Sequence, residues 1–200
     1  MAKKAAKKKV VQAAREAVEE VDLKVAEAAA PIHKTRAMEF IGTVSEVGDQ
    51  PQMRVICGTV IAAGLLRGDA RLARAGVKML LAHSIATAAK TAIKHRVDRT
   101  RPKVMVEEGR YQAQAGSSRE KEESSFPSGH TAGAVAVAGT FAADYPDYRA
   151  PAWVAAGAVA AAQVPRCMHY PSDIAAGAVI GLASAAAVNR LMPAESRESD

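Results

Sequence analysis

His169-Tyr170-Pro171-Ser172-Asp173 stands immediately before the apolar stretch Ile174 to Val188, so a polar cluster with a histidine four residues ahead of an aspartate opens an apolar helix. That spacing suits a paired imidazole and carboxylate. Working outward, Pro127-Ser128-Gly129-His130 opens a second apolar run, Thr131 to Ala143, and the basic cluster Lys94-His95-Arg96-Val97-Asp98-Arg99-Thr100-Arg101-Pro102 follows a third, Met79 to Ala89. Two more uncharged runs, Val55 to Leu66 and Pro151 to Pro165, complete a set of five. Three polar clusters at three helix ends imply one shared site.

The fold class follows from composition. Hydrophobic residues make up 49% of the 200-residue chain and aromatics only 4%, so one core must be built from Ala, Val, Ile and Leu, which favours close-packed helices over a sheet sandwich. The expectation is all-α: a bundle of about five core helices preceded by an amphipathic N-terminal helix. That helix reads from about Ala5 to Ala30, ending before Pro31, and Thr35 to Val47 is a second, weakly amphipathic stretch. The expected divisions are a basic amphipathic segment over 1–47, the bundle over 48–191 and a polar tail over 192–200. The polar connection from Lys103 to Phe126 reads as a lid or as disordered chain.

Each apolar run is shorter than the roughly 20 residues that span a bilayer. Flanking residues could extend several of them, and Ala132, Ala136 and Gly139 put small residues on one face for close helix packing. A membrane-embedded bundle is therefore the expectation, with a compact soluble bundle as the alternative. The net charge of +6, with Lys3, Lys4, Lys7, Lys8 and Lys9 at the start, fits an anionic substrate or membrane surface; no aromatic-basic interleaving points to nucleic acid, and no export signal is evident. Cys57 and Cys167 have no CxxC partner and read as free thiols, without a zinc site.

Each cluster has a chemical and a bland reading. Lys94 and Arg101, seven apart, would share a face on a continuing helix and converge on one anion, although Pro102 disfavours helix at Arg101; alternatively they are cations favoured by a helix C-terminus. Free amides at Gly129 can cradle an anion, and His130 titrates in the range a proton donor needs; alternatively Ser128 merely caps the helix. His169 can act as a nucleophile oriented by Asp173, or Ser172 and Asp173 can simply cap the last helix. His83 reads as a packing residue, and His33 and His95 lie outside the site.

The ordered motifs K-x6-R-P at Lys94 to Pro102, P-S-G-H at Pro127 to His130 and H-x3-D at His169 to Asp173 resemble the type 2 phosphatidic-acid phosphatase superfamily over roughly Gly48 to Val188. That superfamily takes in lipid phosphatases, class A acid phosphatases and vanadium haloperoxidases. The resemblance implies a helical-bundle phosphatase working through a phosphohistidine, with no metal and no other cofactor. His169 would attack phosphorus, Asp173 would hold its ring, and His130 would protonate the leaving alkoxide. Lys94, Arg101, Ser128 and the Gly129 amide would bind the non-bridging oxygens. One position departs from the pattern: where S-R-x5-H-x3-D is usual, this chain has Ala162 and Gln163, and Arg166 is the candidate replacement.

The implied substrates are lipid phosphate monoesters or polyprenyl diphosphates, with a membrane as partner. A soluble phosphatase or vanadate-dependent haloperoxidase is one alternative, and a weakly active lipid-phosphate-binding membrane protein is another. The expected location is the inner membrane, multi-pass. If all five runs cross, twenty Lys and Arg lie on the side of the site against seven opposite, which argues for a cytoplasmic site, whereas the resemblance implies an extracytoplasmic one. The extracytoplasmic orientation is the expectation, because several of those cations would serve the substrate.

Overall fold

The computed structural model describes residues 2–194. Met1 and residues 195–200, part of the expected tail, lie outside the described residues. The helices are α1 (Ala2–Ala29), α2 (Arg36–Ser45), α3 (Gln50–Arg67), α4 (Ala70–Lys94), α5 (Pro102–Glu108), α6 (Gly129–Asp144), α7 (Arg149–Ala162) and α8 (Pro171–Leu191). Two short strands, β1 (Val97–Arg99) and β2 (Ala113–Ala115), pair antiparallel with Asp98 opposite Gln114.

Local chemistry sets these limits. Alanine with long Glu and Lys side chains favours helix in α1, reinforced by the pairs Lys24–Glu20 at 2.6 Å and Arg15–Glu19 at 3.1 Å, and the helix stops just short of Pro31. Gly68 takes the left-handed conformation that closes α3, with φ of 67°. The Asp69 carboxylate then accepts from the Leu72 amide at 2.9 Å and starts α4. Four of the apolar runs fall inside helices α3, α4, α6 and α8, and the fifth, Pro151 to Pro165, forms most of α7 and runs three residues past its end at Ala162.

At the centre α6 packs between α4 and α8, with α3 against α4 and α7 against α6. Small residues allow this. Ala82 and Ala86 of α4 meet Ala132 and Ala136 of α6 and Val188 of α8, and a Cβ on Gly177 would come within 2.5 Å of the Ser128 carbonyl oxygen. Buried Lys78 pairs with Asp144 at the far ends of α4 and α6, where Arg71 donates to the Asp144 carbonyl. Chain direction alternates, so the start of α3, the end of α4, the start of α6, the end of α7 and the start of α8 gather at the other end.

Small apolar residues and several polar ones fill the interior, and large aliphatic side chains also lie on the outside of the bundle. Tyr170, Lys78, His83 and Gln163 are among the largest fully buried side chains, while Leu65, Leu66, Val154 and Val179 are 66–87% exposed. By length and composition, α8 alone among the described residues is suited to cross a membrane.

Two expectations change. The Lys103 to Phe126 connection is folded, containing α5, β2 and a 3-10 turn at Lys121–Glu123 that sits against the site end. Lys94 and Arg101 do not share a continuing helix: α4 ends at Lys94, β1 intervenes, and Arg101 is extended (φ −69°, ψ 149°) before Pro102.

Candidate active site

The gathered helix ends enclose a cavity of about 530 Å³ lined by His130, His169, Lys90, Lys94, Arg101 and Arg166, with Asp49 and Glu46 on its wall. Lys121 from the folded connection closes one side.

Lys94 and Arg101 reach this cavity from different elements and converge on the Ser124 carbonyl. Lys94 Nζ donates to it, and Arg101 Nη2 does so at 3.4 Å; Arg101 is further held by donation to the Lys121 carbonyl at 2.8 Å and the Met168 carbonyl at 3.2 Å. Lys94 lies beyond the apolar run of its helix, and burial followed by the nearby Arg101 and Lys90 charges pulls its pKa down to about 7 against the opposing pull of Asp173. Burial also lowers Arg101, with Asp173 and Asp49 working the other way. One turn before Lys94 on α4, Lys90 points at the α6 N-terminus, its Nζ 3.4 Å from where a Cβ on Gly129 would sit.

The N-cap of α6 is Ser128, whose buried Oγ accepts from Thr131 N at 3.4 Å and Thr131 Oγ1 at 3.0 Å, so the bland capping reading describes its contacts and it does not line the cavity. Gly129 and His130 do line it. His130 Nε2 lies 2.9 Å from Asp49 Oδ1, an ion-pair contact rather than an in-line hydrogen bond. Burial lowers the pKa of His130, which precedes the apolar run; Asp49 opposes the shift, and Arg166, Arg101 and Lys90 add to it.

His169 is presented by the turn between α7 and α8, where the Gln163 carbonyl accepts from Met168 N at 3.1 Å and His169 N at 3.3 Å. Its ring is 3% exposed, with Nδ1 3.7 Å from Asp173 Oδ2, longer than a hydrogen bond, so Nε2 is the nitrogen left for the cavity. Burial lowers its pKa to about 4; Asp173 opposes this and the Arg101 and Lys94 charges assist it, so the imidazole is neutral at neutral pH.

Asp173 is wholly buried and fully bonded. Oδ2 accepts from Ser125 Oγ at 2.5 Å and from the Tyr170 amide at 2.9 Å, which also caps α8, and Oδ1 accepts from Arg99 Nη1 at 2.6 Å. The Arg99 fork continues to Asp22 Oδ2 at 2.8 Å, and the guanidinium lies 4.3 Å from the Tyr170 ring centre. Burial works against the charge of Arg99, but Asp173 and Asp22 more than offset it and raise its pKa.

Gln163, at the position of the absent arginine, is fully buried and outside the cavity lining; its Nε2 donates to the Val159 carbonyl at 3.1 Å and its Oε1 has no partner. Arg166 is not on a helix but lines the cavity, with Nη1 donating to Ser45 Oγ at 2.5 Å. His83 is buried against Gly133, as a packing residue would be, and His95 is the exposed C-cap of α4. His33 does have a partner, Glu107 at 3.2 Å.

Sequence reasoning missed Lys121, which the folded connection brings to the cavity, and four further contributors. Lys90 carried a readable signal, its spacing of four from Lys94. Asp49, Arg99 and Asp22 carried none, because their partners are distant in sequence and only the fold joins them.

The sequence pattern of the PAP2 superfamily matches residues 75–197, which contain all three motifs. No curated protein matches the chain. Among solved structures, the chain is similar to the crystal structure of the first transmembrane PAP2 type phosphatidylglycerolphosphate phosphatase from Bacillus subtilis, with a TM-score of 0.65 and 20% identity over 92% of this chain and 90% of that one. At that identity the likeness is one of fold.

Proposed function

The chain belongs to the PAP2 superfamily, and from that premise we propose that it hydrolyses lipid phosphate monoesters or polyprenyl diphosphates through a phosphohistidine. The observation that carries this reading is a single cavity holding two histidines of different surroundings among five cationic side chains, Lys90, Lys94, Arg101, Lys121 and Arg166. The cations and the Gly129 amide bind the non-bridging oxygens and stabilise charge as it develops, and Ser128 holds the turn that presents that amide.

Neutral His169 attacks phosphorus through Nε2, and the bond to the leaving oxygen breaks as His130 gives that oxygen its proton. The His169 ring becomes cationic in the phosphoenzyme, and Asp173 faces that charge; the 3.7 Å gap closes as the charge forms. Neutral His130 then takes a proton from water, which attacks the phosphoryl group and releases His169. Arg166 supplies the charge that Gln163 does not.

A lipid substrate fits the aliphatic exterior of α3, α7 and α8 and the Bacillus subtilis structure, whose described activity is on phosphatidylglycerolphosphate. The buried, uncharged Gln163 favours a second reading, a lipid-phosphate binder with little turnover. Assay of the purified protein against a panel of lipid phosphates separates the two.

The deciding experiment is covalent labelling. Phosphorylated substrate is expected to leave an acid-labile, base-stable label on the wild type and none on His169→Ala; equal labelling of both overturns the assignment. In His130→Ala the loss, about 10²- to 10⁴-fold, is expected to concentrate on substrates with poor leaving groups.

A further inference from the structure

α1 lies outside the residues that match the family, yet it sends one buried carboxylate into the site. Asp22 is 1% exposed on a helix whose surface is otherwise largely open. Its Oδ1 accepts from Ser172 N at 3.0 Å, and its Oδ2 accepts from Ser172 Oγ and, at 2.8 Å, from Arg99 Nη2. The other arm of the same guanidinium bonds Asp173 Oδ1 at 2.6 Å and Ser172 Oγ at 2.7 Å. Asp22 therefore grips both the first turn of α8 and the arginine that grips Asp173.

We propose that Asp22 is a positioning residue for phosphoryl transfer, acting through Arg99 and Asp173 on His169; this rests on the phosphohistidine reading above. Two effects combine. With Asp22 on one arm and Asp173 on the other, the planar fork of Arg99 has a single orientation, which directs Asp173 Oδ1 away from His169 and leaves Oδ2 on the ring. Two carboxylates also share one cation, so the buried trio keeps a net negative charge. Without Asp22, Arg99 would neutralise Asp173 outright, and the cationic ring of the phosphoenzyme would lose its counter-charge. An aspartate that merely anchored α1 would have neither effect.

Asp22→Asn keeps the shape and the acceptor for Ser172 N but removes the charge. Single-turnover labelling of His169 in this variant is expected to slow by about ten- to a hundredfold, with affinity for inorganic phosphate within about twofold of wild type. Vanadate, a mimic of pentacoordinate phosphorus, is expected to lose affinity in step with the rate. Asp22→Glu is expected to recover part of the rate. Arg15→Ala, which removes another α1 contact, a 2.7 Å bond to the Ala113 carbonyl, is expected to label like wild type.

If Asp22→Asn does not purify as a folded protein, Arg99→Lys takes its place, because it keeps the charge but lacks the planar fork that fixes two carboxylates in one orientation; the same loss of rate with phosphate affinity retained is expected. Wild-type labelling in the variant used, or an equal loss of phosphate binding and rate, overturns the proposal. Absence of label at His169 in the wild type itself would show instead that the underlying phosphohistidine reading is wrong, and the proposal would fall with it.

Discussion

His169 and His130 are both lowered by burial, but the proposed chemistry needs them in opposite protonation states. His169 must be neutral, so kcat/KM falls as pH drops through its value of about 4. His130 must carry its proton, so kcat/KM falls as pH rises through a value below the ordinary 6.5, and Lys94 loses its charge through about 7 in the same direction. Because kcat/KM reports free-enzyme ionisations, the optimum is expected on the acid side of neutrality, between about 4 and about 6.5. A pH–rate profile still rising from pH 6 to 8 would contradict these roles. Lys94, Arg101, Gly129, His130 and His169, which line the cavity, were legible in the sequence because each belongs to a motif at the border of an apolar run. Their partners were not: Asp49 meets His130 and Arg99 meets Asp173 across long stretches of chain, and no local pattern encodes such pairings.

At the scale of elements, the five core helices were legible because each carries an uncharged run and a local stop or cap, such as Gly68, Asp69 or Ser128. The β1–β2 ribbon was hidden for the opposite reason: its strands are three residues each, too short for alternation to register. The same brevity concealed that Lys94 and Arg101 converge from different elements. The contact between α6 and α8 decides how far His130 stands from His169 and Asp173. Gly177→Ala would drive a Cβ into the Ser128 carbonyl oxygen, at a cost of about 1–3 kcal/mol, and would push the start of α6 off α8. A lower thermal midpoint in detergent and a kcat loss larger than any change in KM are expected. Gly157→Ala, whose added Cβ would meet nothing within 4 Å beyond the backbone of its own helix, is expected to behave as wild type.

For the whole molecule, aliphatic side chains outside and small or polar ones inside indicate lipid as the surrounding medium, with the chemistry at one end of the bundle. We propose that this end lies outside the cytoplasm, against the count of basic residues. Cys57 and Cys167 are both fully buried, so with both replaced by Ala a single added thiol at exposed position 120 reports the side. In Glu120→Cys, a membrane-impermeant maleimide is expected to label intact spheroplasts; labelling only after lysis would put the site in the cytoplasm. Membrane placement was only half legible, since alanine gives the helices length without strong apolarity. Ser45 at the end of α2 and Asp49 ahead of α3, finally, touch Arg166 and His130 from the two sides of one short turn that belongs to none of the motifs. A small shift of that turn would change the surroundings of His130 and Arg166 together while every motif residue stays unchanged.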